Sequence, residues 1–181
     1  MIAIMSRCLA ERFAQLSPRP IALAAGETLF RCGDRVARVF LVTDGAVRLE
    51  RATHAGVRLI LQRAVAGEIV AEASCFAARY HCDAVAASSS RLAYVPLKRF
   101  RQACALDPAL LSAFAQHLAA QVQEARARAE ILALKTVASR LDAWLSLRDG
   151  ALPQKGQWRD LADALAVTPE ALYRELASRR R

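Results

Sequence analysis

No run of apolar residues in this sequence reaches the roughly 18–20 that a bilayer-spanning helix needs, so a helical membrane span is not expected. The opening, Met1 to Cys8, lacks a basic stretch followed by an apolar one, so no secretory leader is expected either. The five cysteines are an odd number without the spacing of a disulfide framework, which points to a reducing, cytoplasmic setting. Internal repeats and low-complexity tracts are lacking. So are a nucleophile set beside a base, a glycine-rich phosphate loop and a carboxylate pair at strand ends; an enzyme is not expected.

What is present is a chain of 181 residues, 55% hydrophobic, long enough for one domain and a small second one. Its net charge of +9 suits an anionic partner, nucleic acid first and a membrane surface second. Residues 2–16 read as an amphipathic helix, with Ile4, Cys8, Leu9, Phe13 and Leu16 on one side. From Ile21 to Pro96 short apolar runs alternate with glycines. Val39–Val42, Ala46–Glu50, Val57–Leu61, His81–Ala87 and Arg91–Val95 are predicted strands, and Ala71–Ala77 a short helix. Asp44-Gly45 and Ala55-Gly56 carry hairpin turn signals. Strands at this spacing predict an antiparallel barrel or sandwich.

After Pro96 the texture becomes helical. Lys98–Ala105 is a short helix and Asp107-Pro108 opens a long one. Along it Leu111, Leu118, Ala125 and Leu132 recur every seven residues, as do Ala115, Val122, Ala129 and Thr136. Such paired rows predict a two-stranded homodimer seam; the alternative is a helix packed on its own barrel. Thr136–Leu147 is a further amphipathic helix.

Trp158 to Arg181 reads as two short helices around a tight turn, Leu165-Ala166-Val167-Thr168-Pro169. Thr168 suits an N-cap, Pro169 the first helical position and Glu170 the first turn. Ala162 is small enough for two helices to cross steeply. This is a helix-turn-helix pattern, although an ordinary helical hairpin with a basic tail would look similar. The second helix would present Thr168, Glu170, Tyr173 and Arg174 to base edges of double-stranded DNA, with Arg179, Arg180 and Arg181 reaching phosphates.

The order of these parts resembles the cyclic-AMP receptor/fumarate-nitrate regulator (CRP/FNR) family of bacterial transcription factors. The residues that carry the likeness are Gly26-Glu27-Thr28-Leu29-Phe30, Gly33-Asp34, Val39–Val42 with Asp44-Gly45, Gly67-Glu68-Ile69 leading to Glu72, Tyr94-Val95-Pro96 and Phe100, then the heptad helix and the helix-turn-helix. The likeness implies an α+β chain: an antiparallel β-roll (a jelly roll) over 1–106, a dimerisation helix over 107–134 and a small helix-turn-helix domain over 135–181. It also implies a sensor that re-aims two reading helices toward half-sites about 34 Å apart, and contact with RNA polymerase if the protein activates.

The family's nucleotide binders place a Glu on the ribose and an Arg-Ser pair on the phosphate. Glu72 matches the Glu, but Cys82 and Asp83 stand at the Arg-Ser positions, with Arg79 the only nearby arginine. Ala125 and Arg126 stand where hydroxyls would meet the base. Cyclic AMP is therefore not the expected effector. Cys32, Cys75, His81 and Cys82 offer soft or borderline ligands, so copper, zinc or a redox signal is the first candidate and haem on His81 a weaker one. A small organic ligand, or none, stays open. Glu170 and Arg174 match the family's base-reading pair, four apart on one helix face. Pro169 replaces a further reading arginine, and the β-hairpin wing of most members is not seen after Arg181. A sensory or interaction protein without productive DNA binding is the alternative reading.

Overall fold

The computed structural model describes residues 2–53, 58–148 and 150–179. A helix α1 (Ile2–Ala14) precedes strands β1 (Arg19–Leu23), β2 (Thr28–Phe30), β3 (Arg38–Asp44), β4 (Ala46–Ala52), β5 (Arg58–Val65) and β6 (Ile69–Val70). A 3₁₀ turn over Glu72–Phe76 leads to β7 (Asp83–Ala86) and β8 (Ser90–Pro96). The helices α2 (Leu97–Leu106), α3 (Pro108–Ala133), α4 (Val137–Ser146), α5 (Trp158–Leu165) and α6 (Pro169–Ser178) follow. Packing divides the chain into two compact units, residues 1–120 and 121–181, with the division falling within α3.

In the first unit two four-stranded antiparallel sheets, β1-β8-β3-β6 and β2-β7-β4-β5, make the expected jelly roll. The β3 run Val39-Phe40-Leu41-Val42 is buried at all four positions, consistent with a strand covered on both faces. Phe13 of α1, Phe100 of α2 and Phe114 of α3 close one side of this core, with Phe100 and Phe114 edge to face at 5.1 Å. Full burial of each such side chain contributes roughly 1.5–3 kcal/mol.

Two expectations are corrected. Asp44-Gly45 is not a hairpin turn, because β3 and β4 lie in different sheets and the turn carries the chain from one to the other. A Cβ on Gly45, whose φ is +79°, would stand 2.5 Å from Ser90 Oγ and 2.6 Å from the Ser89 carbonyl oxygen, so the corner admits only glycine. Thr136 does not continue the heptad seam. Its hydroxyl accepts from the Ser139 amide at 3.1 Å, and Ser139 Oγ accepts from the Thr136 amide at 3.3 Å, a reciprocal cap that starts α4. Strands β1, β2 and β6 are not signalled by the sequence, for their stretches are short and carry Pro20 or sit between glycines. Strands β4 and β5 pair as a hairpin, with Ala52 opposite Arg58. Its Ala55-Gly56 turn and Val57 lie outside the described residues.

In the second unit Ile131, Leu141, Leu161, Ala162, Leu165, Leu172 and Leu176 form one buried cluster from α3, α4, α5 and α6. Both tryptophans of the chain, Trp144 and Trp158, pack against it.

Candidate functional site

The turn between α5 and α6 is built as the sequence predicts. Ala166 ends α5 in the left-handed conformation, φ 49° and ψ 50°, where glycine is the usual occupant. Its amide and that of Val167 return to the Ala162 carbonyl, satisfying the end of the helix. Thr168 caps α6 by accepting from the Ala171 amide at 3.2 Å, and Pro169 takes the first helical position. Leu172 and Leu176 turn inward, and Ala162, fully buried, lets the helices approach closely.

The outward face of α6 then carries Glu170 and Arg174, both exposed. The Glu170 carboxyl is held below its ordinary range by its own amide, then by the Thr168 hydroxyl, with Arg159 and Arg174 assisting. Glu170 is thus ionised at neutral pH, an acceptor beside a guanidinium fork. Tyr173 is 44% exposed and rests on Trp158 with ring centroids 5.8 Å apart. Arg179 is placed differently from expectation. Its guanidinium donates to Glu175 Oε1 at 2.7 Å, Asp142 Oδ1 at 2.6 Å and the Ala138 carbonyl at 3.1 Å, bracing α6 against α4. Arg180 and Arg181 lie outside the described residues.

Sequence reasoning missed Arg140. Its Nε donates to the Leu134 carbonyl at 2.9 Å and Nη2 to that of Leu132 at 3.3 Å, both at the end of α3. Its Nη1 donates to the carbonyls of Leu165 at 2.9 Å and Ala166 at 3.2 Å, the turn itself. One cation serves two helix C-termini, where positive charge is favoured. An arginine on an amphipathic helix gives no signal of this in sequence, since its partners lie on two other elements.

On α3 the residues of the expected seam stand open. Leu111 is 48% and Val122 49% exposed; Ala115, Ala125 and Ala129 are exposed, and Leu118 and Leu132 half-buried. Leu110, Ala113 and Phe114, one turn round, are buried in the roll's core.

In the roll, Glu72 opens the 3₁₀ turn and is buried, with Gln62 Nε2 donating to Oε2 at 3.2 Å. Burial pushes its carboxyl up, which the amide and Gln62 partly offset. The Asp83 carboxylate accepts from the Cys32 amide at 2.7 Å. The nearby arginines are engaged: Arg51 donates through Nε and Nη2 to the His81 carbonyl, and Arg79 to that of Gly33 at 2.7 Å. Where the resemblance would put a cyclic phosphate, the structure has the Asp83 carboxylate and two arginines already bonded to carbonyls.

The expected metal cluster of Cys32, Cys75, His81 and Cys82 is not assembled. Among the described residues no group of three or more His, Cys, Asp or Glu side chains is placed to hold a metal ion. Cys75 points into the core on the 3₁₀ turn, and burial pushes its thiol up to about 12, far from the thiolate a metal requires. His81 is exposed, and its carbonyl serves Arg51.

Residues 20–107 match the cyclic nucleotide-binding domain. A global nitrogen regulator from Synechococcus elongatus is 30% identical over 134 residues, 71% of this chain and 60% of that protein, so the match leaves two fifths of the regulator's length outside it. A CRP/FNR family transcriptional regulator from Thermus thermophilus superposes with a TM-score of 0.63 at 27% identity, over 88% of this chain and 84% of that one. The chain belongs to the CRP/FNR family. FixK2 from Bradyrhizobium japonicum shares the CRP/FNR fold, with a TM-score of 0.73 at 20% identity over 89% of this chain and 83% of its own. The Thermus relative is a transcriptional regulator, and the roll, the long helix and the helices beyond it in this chain follow the same fold. Among the described residues no helix is long and apolar enough to cross a membrane.

Proposed function

We propose that this CRP/FNR member is a cytoplasmic, homodimeric regulator that reads double-stranded DNA with α6 and senses, in its roll, an effector other than cyclic AMP. The observation that carries the reading is the capped helix α6 itself. Its inner face is fully used by Leu172 and Leu176, while Glu170 and Arg174 remain exposed, four residues apart, on the outside. Glu170 accepts from a cytosine amino group and Arg174 forks onto guanine O6 and N7. The open apolar row along α3 supports pairing with a second copy, since a stripe of Leu, Val and Ala at heptad spacing is stable when another such stripe covers it.

The test starts from a pool of random-sequence duplexes selected for binding to the wild-type protein. Arg174→Ala should weaken the selected duplex by about 1–3 kcal/mol and relax the preference at one base position. Equal discrimination by the variant would remove Arg174 from the reading role. Wild-type affinity should fall steeply between low and moderate salt, as phosphate neutralisation requires. One observation favours the second reading, an interaction protein without productive DNA contact: Arg179 is engaged within the unit, and Pro169 offers no side-chain donor. Failure of any duplex to be selected would support it.

A further inference from the structure

Strand β2 pairs with β7 as far as Phe30, which lies opposite Ala84. The chain then makes a tight turn, with the Arg31 amide donating to Asp34 Oδ2 at 2.8 Å and the Asp34 amide to the Arg31 carbonyl at 3.1 Å. That turn is pinned onto the segment before β7. The Cys32 amide donates to Asp83 Oδ1 at 2.7 Å, the Gly33 amide to the Tyr80 carbonyl at 2.8 Å, and the Tyr80 amide to the Asp34 carbonyl at 2.9 Å. Pairing resumes with Arg35 opposite Arg79. Cys32 and Cys82 therefore both fall in one short interval, bounded on each side by a paired residue couple. A disulfide needs Cα atoms about 4.4–6.8 Å apart, and the two paired couples bracket both cysteines closely on the two facing segments.

The two thiols differ in access. Cys32 is exposed, while Cys82 is 1% exposed. On the other side of Cys82, Arg51 of β4 donates twice to the His81 carbonyl. Burial pushes the Cys82 thiol up, the Arg51 charge pulls it back down, and charge on Cys32 reaches it too. The remaining cysteines lie elsewhere: Cys75 on the 3₁₀ turn, Cys104 on α2 and Cys8 on α1.

We propose that Cys32 and Cys82 are a modification site, an oxidant-responsive dithiol that closes to an intramolecular disulfide when a hydroperoxide reaches Cys32. The Cys32 thiolate attacks the peroxide oxygen, the O–O bond breaks, and Cys32 becomes a sulfenic acid as the leaving hydroxide takes a proton to form water. Cys82 sulfur then attacks the Cys32 sulfur; the S–S bond forms, the S–O bond breaks, and the hydroxide leaves as a second water with the Cys82 proton. Two thiols are oxidised and one hydrogen peroxide is reduced to two waters. The product staples the β2 turn to the entry of β7, in the same roll as Glu72. This holds whether or not the chain reads DNA.

The experiment titrates the reduced full chain with hydrogen peroxide and maps its peptides without reductant. The expected result is a loss of two of the five thiols. One intramolecular link should join the Cys32 and Cys82 peptides, reversed by dithiothreitol. Cys32→Ser, an exposed and conservative change, should give no link and keep Cys82 reduced at the same peroxide dose. Three results would overturn the proposal: Cys32 accumulating as sulfenic or sulfinic acid with Cys82 still free, a link from Cys32 to another cysteine or a second copy, or no loss of thiol.

Discussion

Replacing Arg140 with alanine should loosen the second unit by roughly 2–3 kcal/mol. The reasoning rests on what one guanidinium does: it supplies donors to the carbonyls of Leu132, Leu134, Leu165 and Ala166, at the ends of α3 and α5. A hydrogen-bonded charged group contributes about 1.5–3 kcal/mol net, and a cation at a helix C-terminus about 0.3–1 kcal/mol more. Some freed carbonyls regain water, so the sum stays near the charged-bond value rather than four separate bonds. For a unit of this size each kcal/mol moves the midpoint by about 4–8 °C, so a fall of roughly 8–24 °C is expected. Trp144 and Trp158 are the chain's two tryptophans and both lie in this unit, so their fluorescence reports its unfolding alone. Arg140→Lys should recover less than half of the loss, because an ammonium cannot span carbonyls on two helices. A midpoint within a degree or two of wild type for Arg140→Ala, or full recovery by lysine, would refute the argument.

Ala166→Gly should stabilise the same unit by about 0.5–1 kcal/mol, since alanine is strained at φ 49° and glycine is not; a drop in the fluorescence midpoint would count against the turn geometry. His117 is buried on α3 with Nε2 unpartnered, and burial pulls its pKa below 6.5. The unfolded chain then binds this proton more readily than the folded one, so stability falls as pH drops through about 6.5. His117→Leu should flatten that fall by up to about 1.4 kcal/mol per pH unit, read as urea midpoints by circular dichroism between pH 7.5 and 5; parallel curves would disprove it. Leu111→Asp combined with Val122→Asp should convert a dimer to monomer in sedimentation while leaving helicity intact, since both positions are about half exposed. Unchanged dimer mass would place the interface elsewhere.

The jelly roll was legible where strands are long, either as continuous apolar runs or as alternating ones, as in β3, β4 and β8. It was not legible in β6, whose two residues Ile69-Val70 are a strand only because β3 supplies the partner. The Asp44-Gly45 signal identified a turn but not which sheet the chain enters next, because turn chemistry is local and sheet membership is not. In the second unit Thr168, Pro169 and the leucine spacing gave the helix pair with correct ends, since capping is local. Arg140 and Arg179 were opaque for the opposite reason. A basic residue near a helix end reads as a free cation until the neighbouring elements are placed, and here both bind carbonyls or carboxylates within the unit.

The same distinction bears on the sensor. A soft-ligand set can be written from sequence whenever cysteines and histidine fall within a few residues, but a metal needs their lone pairs convergent and deprotonated. The 3₁₀ turn sends Cys75 into the core, where burial keeps its proton, and leaves His81 outside. Cys82 lies between residues paired with the β2 segment, and the Asp83 carboxylate ties that segment's turn to β7 through its bond from the Cys32 amide. The carboxylate that would repel a phosphate at this point of the roll therefore has a structural task of its own, holding the turn that carries Cys32. On the proposal above, oxidation would lock covalently what that hydrogen bond already holds, the β2 turn against the entry of β7.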